Sequence, residues 1–318
     1  MTARIEAVFQ QAGCMGQLCV QALDGSGEVA LDADRLVVSA SVVKVSIALT
    51  AESWMATGRL DPRRRVVLRA DDRSPGPVGF SLYRDDVEVS ARDLVVSMLT
   101  ISDNVATDAL LDLIGVDAVN EHVTGLGLEN SVVVSSEREI VDSIGVEAGF
   151  AGWDAMIEWF SGPAPQPEKD RIASRVYQAS ALKPELTTRT TPRDMVTLLR
   201  LIWTDAAGPA AACARVRELM AAQLTKHRLA AGFRSPVRVA AKTGGFIQVV
   251  RNDVGVITYP DGSAYAAAVF TQTPGGTEAG ADDQAVNAAI GQAGAAAVDE
   301  LRNRTPPRPG ESTVTAPT

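Results

Sequence analysis

Residues 41–55 read Ser-Val-Val-Lys-Val-Ser-Ile-Ala-Leu-Thr-Ala-Glu-Ser-Trp-Met. From Val42 to Met55 the stretch is largely apolar, which predicts a buried helix rather than a surface one. Ser41 falls at the first turn, where its own N–H and the helix dipole favour negative charge on the group that its hydroxyl attacks. Lys44 follows three residues later on the same face. A lysine in an apolar setting close to another cation can lose its proton, so the pair predicts a nucleophilic serine with a lysine base.

A purely structural interpretation of this pair is also open, because a serine can cap a helix while a lysine lays its stem along apolar surface. A second motif, Ser102-Asp103-Asn104, favours the catalytic interpretation. It separates two predicted helices, over 90–100 and 105–114, and is therefore expected on a loop. A hydroxyl there can relay a proton between Lys44, Lys242 and a leaving group, and the Asn104 amide can hold a substrate amide. The alternative is a simple N-cap for the second helix.

The third motif, Lys242-Thr243-Gly244, ends a predicted strand over 237–242. Gly245 follows, so the backbone there can approach a ligand closely. An edge strand with free N–H groups can pair with an acyl-amide substrate, and the N–H groups of Gly245 and Ser41 can form an oxyanion hole. Lys242 and Thr243 would meet a substrate carboxylate. The alternative is an ordinary turn with glycine.

Motifs for other kinds of chemistry do not occur in the sequence. There is no G-x-S-x-G elbow, no H-E-x-x-H or C-x-x-C pattern and no glycine-rich phosphate loop. The two histidines, His122 and His227, are each expected to be structural. The motifs that do occur therefore predict acyl transfer on a serine without histidine, metal or cofactor.

The composition is that of a globular protein with room for two domains. The chain has 318 residues, an apolar fraction of 46% and a net charge of −9. Its acidity and the lack of a basic patch argue against nucleic-acid and anionic-membrane partners. No apolar run is long enough to span a bilayer and no export signal stands at the N-terminus, so a cytoplasmic location is expected. The three cysteines, an odd number without metal spacing, are expected to be buried free thiols.

Strand patterns lie near both ends of the chain and helical patterns lie between them. An N-terminal hairpin is predicted over 16–31, a C-terminal hairpin over 249–270 and a last helix over 283–302. Segment 161–170 is expected to be a loop, and the proline-containing tail from about residue 304 to be disordered. The order predicts a sheet built from both chain ends with an all-helical domain inserted between them.

Together the motifs resemble those of the class A β-lactamases and penicillin-binding-protein-like serine hydrolases. Three further stretches support the resemblance over roughly residues 5–303: Leu126-Gly127-Leu128, Thr190-Thr191-Pro192 and Arg251-Asn252-Asp253. It implies a three-layer α/β/α sandwich with an antiparallel sheet of about five strands plus an all-α domain. The sandwich would comprise residues 1–45 and 192–303, and the all-α domain residues 46–191 with a long loop insertion. It also implies catalysis through an acyl-enzyme on Ser41 and an arginine, here Arg251, for the substrate carboxylate.

The resemblance breaks down at the glutamate that activates the deacylating water in class A enzymes. That glutamate lies in an E-x-x-L-N pattern between the Ser-Asp-Asn and Thr-Thr-Pro motifs, an interval that is several tens of residues longer here. Glu137 is one candidate, but Ile140 and Val141 stand where leucine and asparagine should follow. Glu185 is another candidate, and either can be a solvated surface acid.

The sequence therefore supports one mechanism with three possible outcomes. The leading hypothesis is a serine acyl-hydrolase that cleaves a β-lactam or a related amide or ester carrying a carboxylate. One alternative is an intracellular esterase, amidase or transacylase with weak or no β-lactam turnover. The other is a β-lactam-binding or sensing protein that becomes acylated and does not turn over, since an acyl-enzyme without a placed base is long-lived. The oligomeric state is left open.

Overall fold

A computed structural model describes residues 1–275 and 282–304. Eleven α-helices and nine strands occur within these ranges. The strands are β1 (Met15–Ala22), β2 (Glu28–Leu31), β3 (Val37–Val38), β4 (Arg65–Leu68), β5 (Val87–Ser90), β6 (Arg189–Thr190), β7 (Arg238–Phe246), β8 (Val250–Thr258) and β9 (Ala264–Gln272). The helices are α1 (Thr2–Gln11), α2 (Lys44–Ala56), α3 (Ala91–Ile101), α4 (Asn104–Ile114), α5 (Val116–Gly125), α6 (Glu137–Ala148), α7 (Trp153–Ser161), α8 (Gln166–Val176), α9 (Pro192–Trp203), α10 (Ala210–Ala221) and α11 (Asp283–Arg304).

The main sheet has five antiparallel strands in the order β2-β1-β9-β8-β7. It joins the two ends of the chain, because β1 pairs along its whole length with β9. Successive residues of β9 are buried on opposite faces, with Ala267 and Val269 in one core and Ala268 and Phe270 in the other. A sheet that is apolar on both faces must be covered on both. The three-layer sandwich and the five-stranded antiparallel sheet predicted from the sequence are thus confirmed.

The two outer layers come from different parts of the chain. One apolar core holds Ile5 and Phe9 of α1 together with Val286 and Ile290 of α11. The opposite core holds side chains of α2, α3, α4, α9 and α10. Helix α2 lies deep in that second core, and its residues from Lys44 to Ser53 are all buried. An evenly apolar helix has no polar face to present to water, which is why its sequence predicted burial.

The stretch from residue 137 to residue 176, part of the expected long loop insertion, is largely helical. It forms α6, α7 and α8, and α8 begins at Gln166, inside the range 161–170 that the sequence assigned to a loop. The sequence patterns did not predict these helices because α7 and α8 are short and are separated by prolines. These three helices have a small core of their own, to which Phe246 and Ile247 at the end of β7 contribute. We call residues 137–176 the inserted helices.

Three smaller expectations can be compared with the structure. Cys14, Cys19 and Cys213 are buried free thiols, as predicted. Within residues 1–275 and 282–304, no helix has both the length and the apolar character needed to cross a membrane. The tail that the sequence predicted to be disordered lies outside the described residues, apart from Arg304 at the end of α11.

Candidate active site

The nucleophile candidate Ser41 lies on a short 3₁₀ helix, Ala40–Val43, that leads directly into α2. Ala40 has a positive φ of 46°, a conformation that costs about 1–3 kcal/mol in a residue other than glycine. Two contacts with the sheet hold this turn in place. The Asn252 side chain on β8 donates to the carbonyls of Val38 and Ser39, at 2.9 and 3.1 Å. A Cβ placed on Gly244 would come within 3.3 Å of the Ser41 nitrogen, so glycine lets β7 approach the turn.

Lys44 is itself fully buried and projects from the first turn of α2 into a polar cluster that borders solvent. Its Nζ donates to the Ser102 carbonyl at 2.8 Å and to the Asn104 Oδ1 at 2.7 Å. The Glu137 Oε1 lies 3.6 Å from the same nitrogen. Burial lowers the pKa of Lys44, and the nearby Glu137 carboxylate opposes that shift. The side chain is therefore an ammonium that can lose its proton more readily than an exposed lysine.

Ser102 and Lys242 complete the amine-rich part of the cluster. Ser102 ends α3 in the left-handed conformation, with φ of 67°. Its hydroxyl accepts a hydrogen bond from the Lys242 Nζ at 2.9 Å and lies 3.5 Å from the Lys44 Nζ. Burial holds the pKa of Lys242 well below its usual value, and the Lys44 charge lowers it further. Two amines with lowered pKa thus converge on one hydroxyl, which is an arrangement able to pass a proton between them.

Glu137 reaches this cluster from the N-terminus of α6. The N–H groups of Glu137 and Arg138 donate to the Asp108 carboxylate, at 2.7 and 2.9 Å. The Ser74 hydroxyl donates to the same carboxylate. Burial raises the pKa of Asp108 to about 6. The Glu137 carboxyl also borders a cavity of about 30 Å³ beneath the inserted helices, a volume that suits one water molecule.

Asp108 was missed in the sequence, although a local signal for it existed. It lies four residues after Asn104 on α4, and residues four apart share one face of a helix. A carboxylate one turn beyond a site residue is therefore placed to support the site. Glu185, the other glutamate considered, lies exposed on the 3₁₀ helix Pro184–Leu186 and borders a separate groove with Gln17 and Arg35.

A cleft of about 1180 Å³ opens over these residues. Seven of the site residues predicted from the sequence border it: Ser41, Ser102, Asn104, Glu137, Thr243, Gly244 and Gly245. Strand β7 is an edge strand, and Gly245 is exposed beside the cleft. The Thr243 N–H donates to the Gln223 Oε1 at 2.7 Å, which fixes that peptide.

Where the cleft meets the end of β7, it is bordered by the cationic side chain of Arg228. The sequence analysis missed this residue because no motif surrounds it. Its guanidinium donates to the carbonyls of Gly244 and Asn252, the second at 2.9 Å, and to the Asn287 Oδ1 at 2.8 Å. Burial lowers the pKa of Arg228, and an arginine side chain remains charged at neutral pH. Arg251, predicted to bind the substrate carboxylate, instead directs its guanidinium to the Asp283 carboxylate and the Gln248 carbonyl, and it does not border the cleft.

The comparisons with known proteins agree with this fold. Residues 1–301 match the sequence model of the β-lactamase enzyme family, and the chain belongs to that family. This confirms the resemblance drawn from the motifs. A curated relative, the β-lactamase regulatory protein BlaB of Streptomyces cacaoi, is 28% identical over 288 residues, covering 86% of this chain and 90% of BlaB.

Two solved structures show the same architecture. The β-lactamase of Sphaerobacter thermophilus is 25% identical and superposes with a TM-score of 0.72, covering 96% of this chain and 98% of the other. The protein PBP-A is 22% identical with a TM-score of 0.70, covering 95% and 97%. At these identities the likeness to PBP-A supports the fold alone.

Proposed function

We propose that the protein is a serine acyl-hydrolase that is acylated on Ser41 by a β-lactam or a related amide or ester bearing a carboxylate. The observation that carries the proposal is the buried Lys44 side chain, whose Nζ contacts Ser102, Asn104 and Glu137 one helical turn after Ser41. A base with a lowered pKa beside a serine is the arrangement that nucleophilic catalysis without histidine requires. Membership of the β-lactamase family gives the proposal its substrate class.

In the acylation step, neutral Lys44 takes the Ser41 hydroxyl proton as the oxygen attacks the substrate carbonyl carbon. Negative charge then develops on the carbonyl oxygen, where the N–H groups of Ser41 and Gly245 would stabilise it. When the C–N bond of the amide or the C–O bond of the ester breaks, the leaving atom needs a proton. The Ser102 hydroxyl, which accepts from the Lys242 Nζ at 2.9 Å, would deliver it and be reprotonated through the two lysines.

In the deacylation step, Glu137 would take a proton from the water that attacks the acyl-enzyme. Glu137 lines both the cleft and the 30 Å³ cavity, which places it beside the space that the acyl-enzyme would occupy. The attack breaks the bond between the acyl carbon and the Ser41 oxygen, and the serine oxygen takes up the proton that Glu137 removed from the water, passed on through the Lys44 Nζ, 3.6 Å from Glu137. This step uses a residue that arrives on the inserted helices rather than in an E-x-x-L-N pattern.

The substrate carboxylate would bind where the cleft meets the end of β7. Arg228 supplies the charge, and the Thr243 hydroxyl and the edge of β7 supply hydrogen bonds. We therefore assign to Arg228 the role that the sequence suggested for Arg251, whose guanidinium is bound to Asp283.

A second candidate function, binding without turnover, is favoured by one observation. The relative BlaB is named a regulatory protein, and it covers most of this chain. A sensor would use the same Ser41 acylation and retain the acyl group, so the two candidates differ only in the deacylation rate.

Intact-mass measurement after mixing with benzylpenicillin tests both candidates. A transient adduct with released product indicates a hydrolase, and a lasting adduct indicates a binder. The Ser41→Ala variant should form no adduct under the same conditions. An adduct on that variant would refute the nucleophile assignment, and no adduct on the wild type would leave an esterase or amidase that does not accept β-lactams.

A further inference from the structure

A groove separate from the cleft lies beside the first residues of β1 and the last residues of β9. Its volume is about 270 Å³, and none of the described residues that line it borders the cleft over Ser41. The sheet contributes the side-chain amides of Gln17 and Gln272. Gln272 stands opposite Met15 in the β1–β9 pair, so Gln17, two residues further along β1, faces the same side of the sheet. Two neighbouring amides therefore line one side of the groove.

Gln17 is buried without the contacts that a buried amide needs. It is only 6% exposed, yet its side chain has no hydrogen-bond partner within residues 1–275 and 282–304. Gln21, four residues further on the same face of β1, donates to the Glu28 carboxylate and accepts from Arg200. A buried amide without a partner costs free energy, and a ligand group that enters the groove and bonds to it offsets that cost. Gln17 therefore indicates a ligand that carries a hydrogen-bonding group.

Two opposite charges line the same groove at different ends. Arg35 comes two residues before β3 and Glu185 four residues before β6, and both side chains are exposed. The two strands are antiparallel, with Val37 opposite Thr190, so the residues that precede them lie beyond opposite ends of the pair. Neither charged side chain forms an ion pair within the part of the chain that the structure describes. The groove thus offers a guanidinium at one end, a carboxylate at the other and amides between them.

We propose that this groove binds a zwitterionic dipeptide at a site separate from the active-site cleft. Arg35 binds the carboxylate of the ligand and Glu185 its ammonium group. The amides of Gln17 and Gln272 each offer a donor and an acceptor, which match the C=O and N–H of the peptide bond. Met15, 51% exposed on the same side of the sheet, contacts an apolar side chain of the ligand.

The size of the groove and the spacing of its charges favour a dipeptide over other small molecules. A volume of about 270 Å³ is just below the roughly 300–1,000 Å³ that is typical of sites for larger ligands. In a free amino acid both charged groups are attached to one carbon, so they cannot reach the two ends of the groove with an amide between them. A simple anion would use Arg35 alone and leave the amides without a partner.

A titration of the ¹⁵N-labelled full chain, followed by NMR, tests the site. The probe is glycylleucine, in its L and its D form. At least one form should bind with a dissociation constant of about 1 mM or lower and shift the side-chain amide signal of Gln17. Arg35→Gln should weaken this binding by about 10- to 100-fold, as expected for the loss of a charged hydrogen bond. Gln17→Leu should weaken it by about three- to tenfold, as expected for a neutral one.

Three controls locate the binding in the groove. Arg63→Gln, on an exposed arginine before β4, should leave the affinity unchanged. Arg228→Gln should also leave it unchanged, which separates the groove from the carboxylate end of the cleft. Gln17→Leu should keep or raise the melting temperature, because the amide that it removes has no partner among the described residues. A lower melting temperature in Gln17→Leu would show that Gln17 supports the fold and would remove it from the site.

Ligands that lack one feature each test the assigned chemistry. N-acetylglycylleucine amide has neither charge and should bind at least tenfold more weakly than glycylleucine. Acetate or leucine binding as tightly as glycylleucine would overturn the dipeptide assignment. Absence of binding for both forms of glycylleucine, or binding that is lost in Arg228→Gln and kept in Arg35→Gln, would overturn the site itself. None of these results depends on acylation, so a wild type that no penicillin acylates would refute the proposed function and leave the groove to be judged by its own titration.

Discussion

The acylation and deacylation sides of the site are built in different ways. On the acylation side, Lys44 and Lys242 are completely buried, and three elements distant in sequence meet at the Ser102 hydroxyl. On the deacylation side, the Glu137 side chain is 17% exposed and stands on the first turn of a helix whose backbone is held by Asp108. The first arrangement is fixed by side chains in the core. The second is fixed by backbone hydrogen bonds to one carboxylate.

This difference teaches that the two half-reactions can vary independently in this fold. Lys44 and Lys242, which we propose activate Ser41 for acylation, are buried in the layers that stabilise the protein, so changing them also threatens the core. The glutamate arrives on the inserted helices, which have a separate small core. A change in that segment can slow acyl release and leave acylation intact, which is the difference between a hydrolase and a sensor.

The largest change in rate is expected at Lys44, on the acylation side of the site. Lys44→Arg keeps a positive charge but supplies a group that cannot lose its proton at neutral pH. We expect the rate of Ser41 acylation to fall by about 10²–10⁴-fold, the usual contribution of a general base. Lys183→Arg, on an exposed lysine, is the control and should have no effect. Acylation of Lys44→Arg at the wild-type rate would show that Lys44 is not the base.

A smaller effect is expected at the carboxylate end of the cleft. Arg228→Gln should weaken the preference for a penicillin over its methyl ester by roughly 10- to 100-fold, because a charged hydrogen bond contributes about 1.5–3 kcal/mol. The ratio of acylation efficiencies for the two compounds measures it. Arg251→Gln, the matched control, should keep the preference, since its guanidinium faces Asp283. Loss of the preference in Arg251→Gln alone would return the role to Arg251.

The smallest effect concerns the support of Glu137 by Asp108. The pKa of Asp108 is raised to about 6, so its carboxylate accepts both N–H groups of α6 above that pH and is protonated below it. Deacylation should therefore rise with pH through about 6. Asp108→Asn cannot titrate, so this part of the pH profile should disappear, with a rate at pH 7 about three- to tenfold lower, as expected for one weakened hydrogen bond.

The control for this profile is Asp112→Asn, one turn further along α4 on an exposed residue. It should keep the wild-type pH dependence of deacylation. If the deacylation rate of Asp108→Asn still rose with pH through about 6, another group would be responsible for that rise. Asp108 would then have no role in positioning Glu137.

The sequence predicted site residues well where they belong to a short motif on a long helix or strand. Ser41, Lys44, Ser102 and Lys242 were selected as parts of three known motifs, and the structure brings both lysines within hydrogen-bond distance of Ser102. A sheet built from both chain ends followed from the strand patterns there, and the number of about five antiparallel strands followed from the family resemblance. Arg228 could not be found this way, because its role depends on carbonyls of β7 and β8 that only the folded sheet brings near it.

The inserted helices escaped prediction for a related reason. Their core is completed by Phe246 and Ile247, which come from a turn about seventy residues further along the chain. Local periodicity cannot reveal an apolar face whose partner lies outside the segment. The two candidate glutamates could not be separated in the sequence, and their contacts now distinguish them: Glu137 lies 3.6 Å from Lys44 and Glu185 lies on another surface.

The most direct test of the account follows the mass of the acyl adduct over time in Glu137→Gln beside the wild type and Glu185→Gln. With a penicillin that acylates Ser41, we predict similar adduct formation in all three proteins. The adduct should then decay at least about 10²-fold more slowly in Glu137→Gln, as expected for the loss of a general base. Equal decay in Glu137→Gln and the wild type would contradict the central claim that acyl release depends on the glutamate carried by the inserted helices.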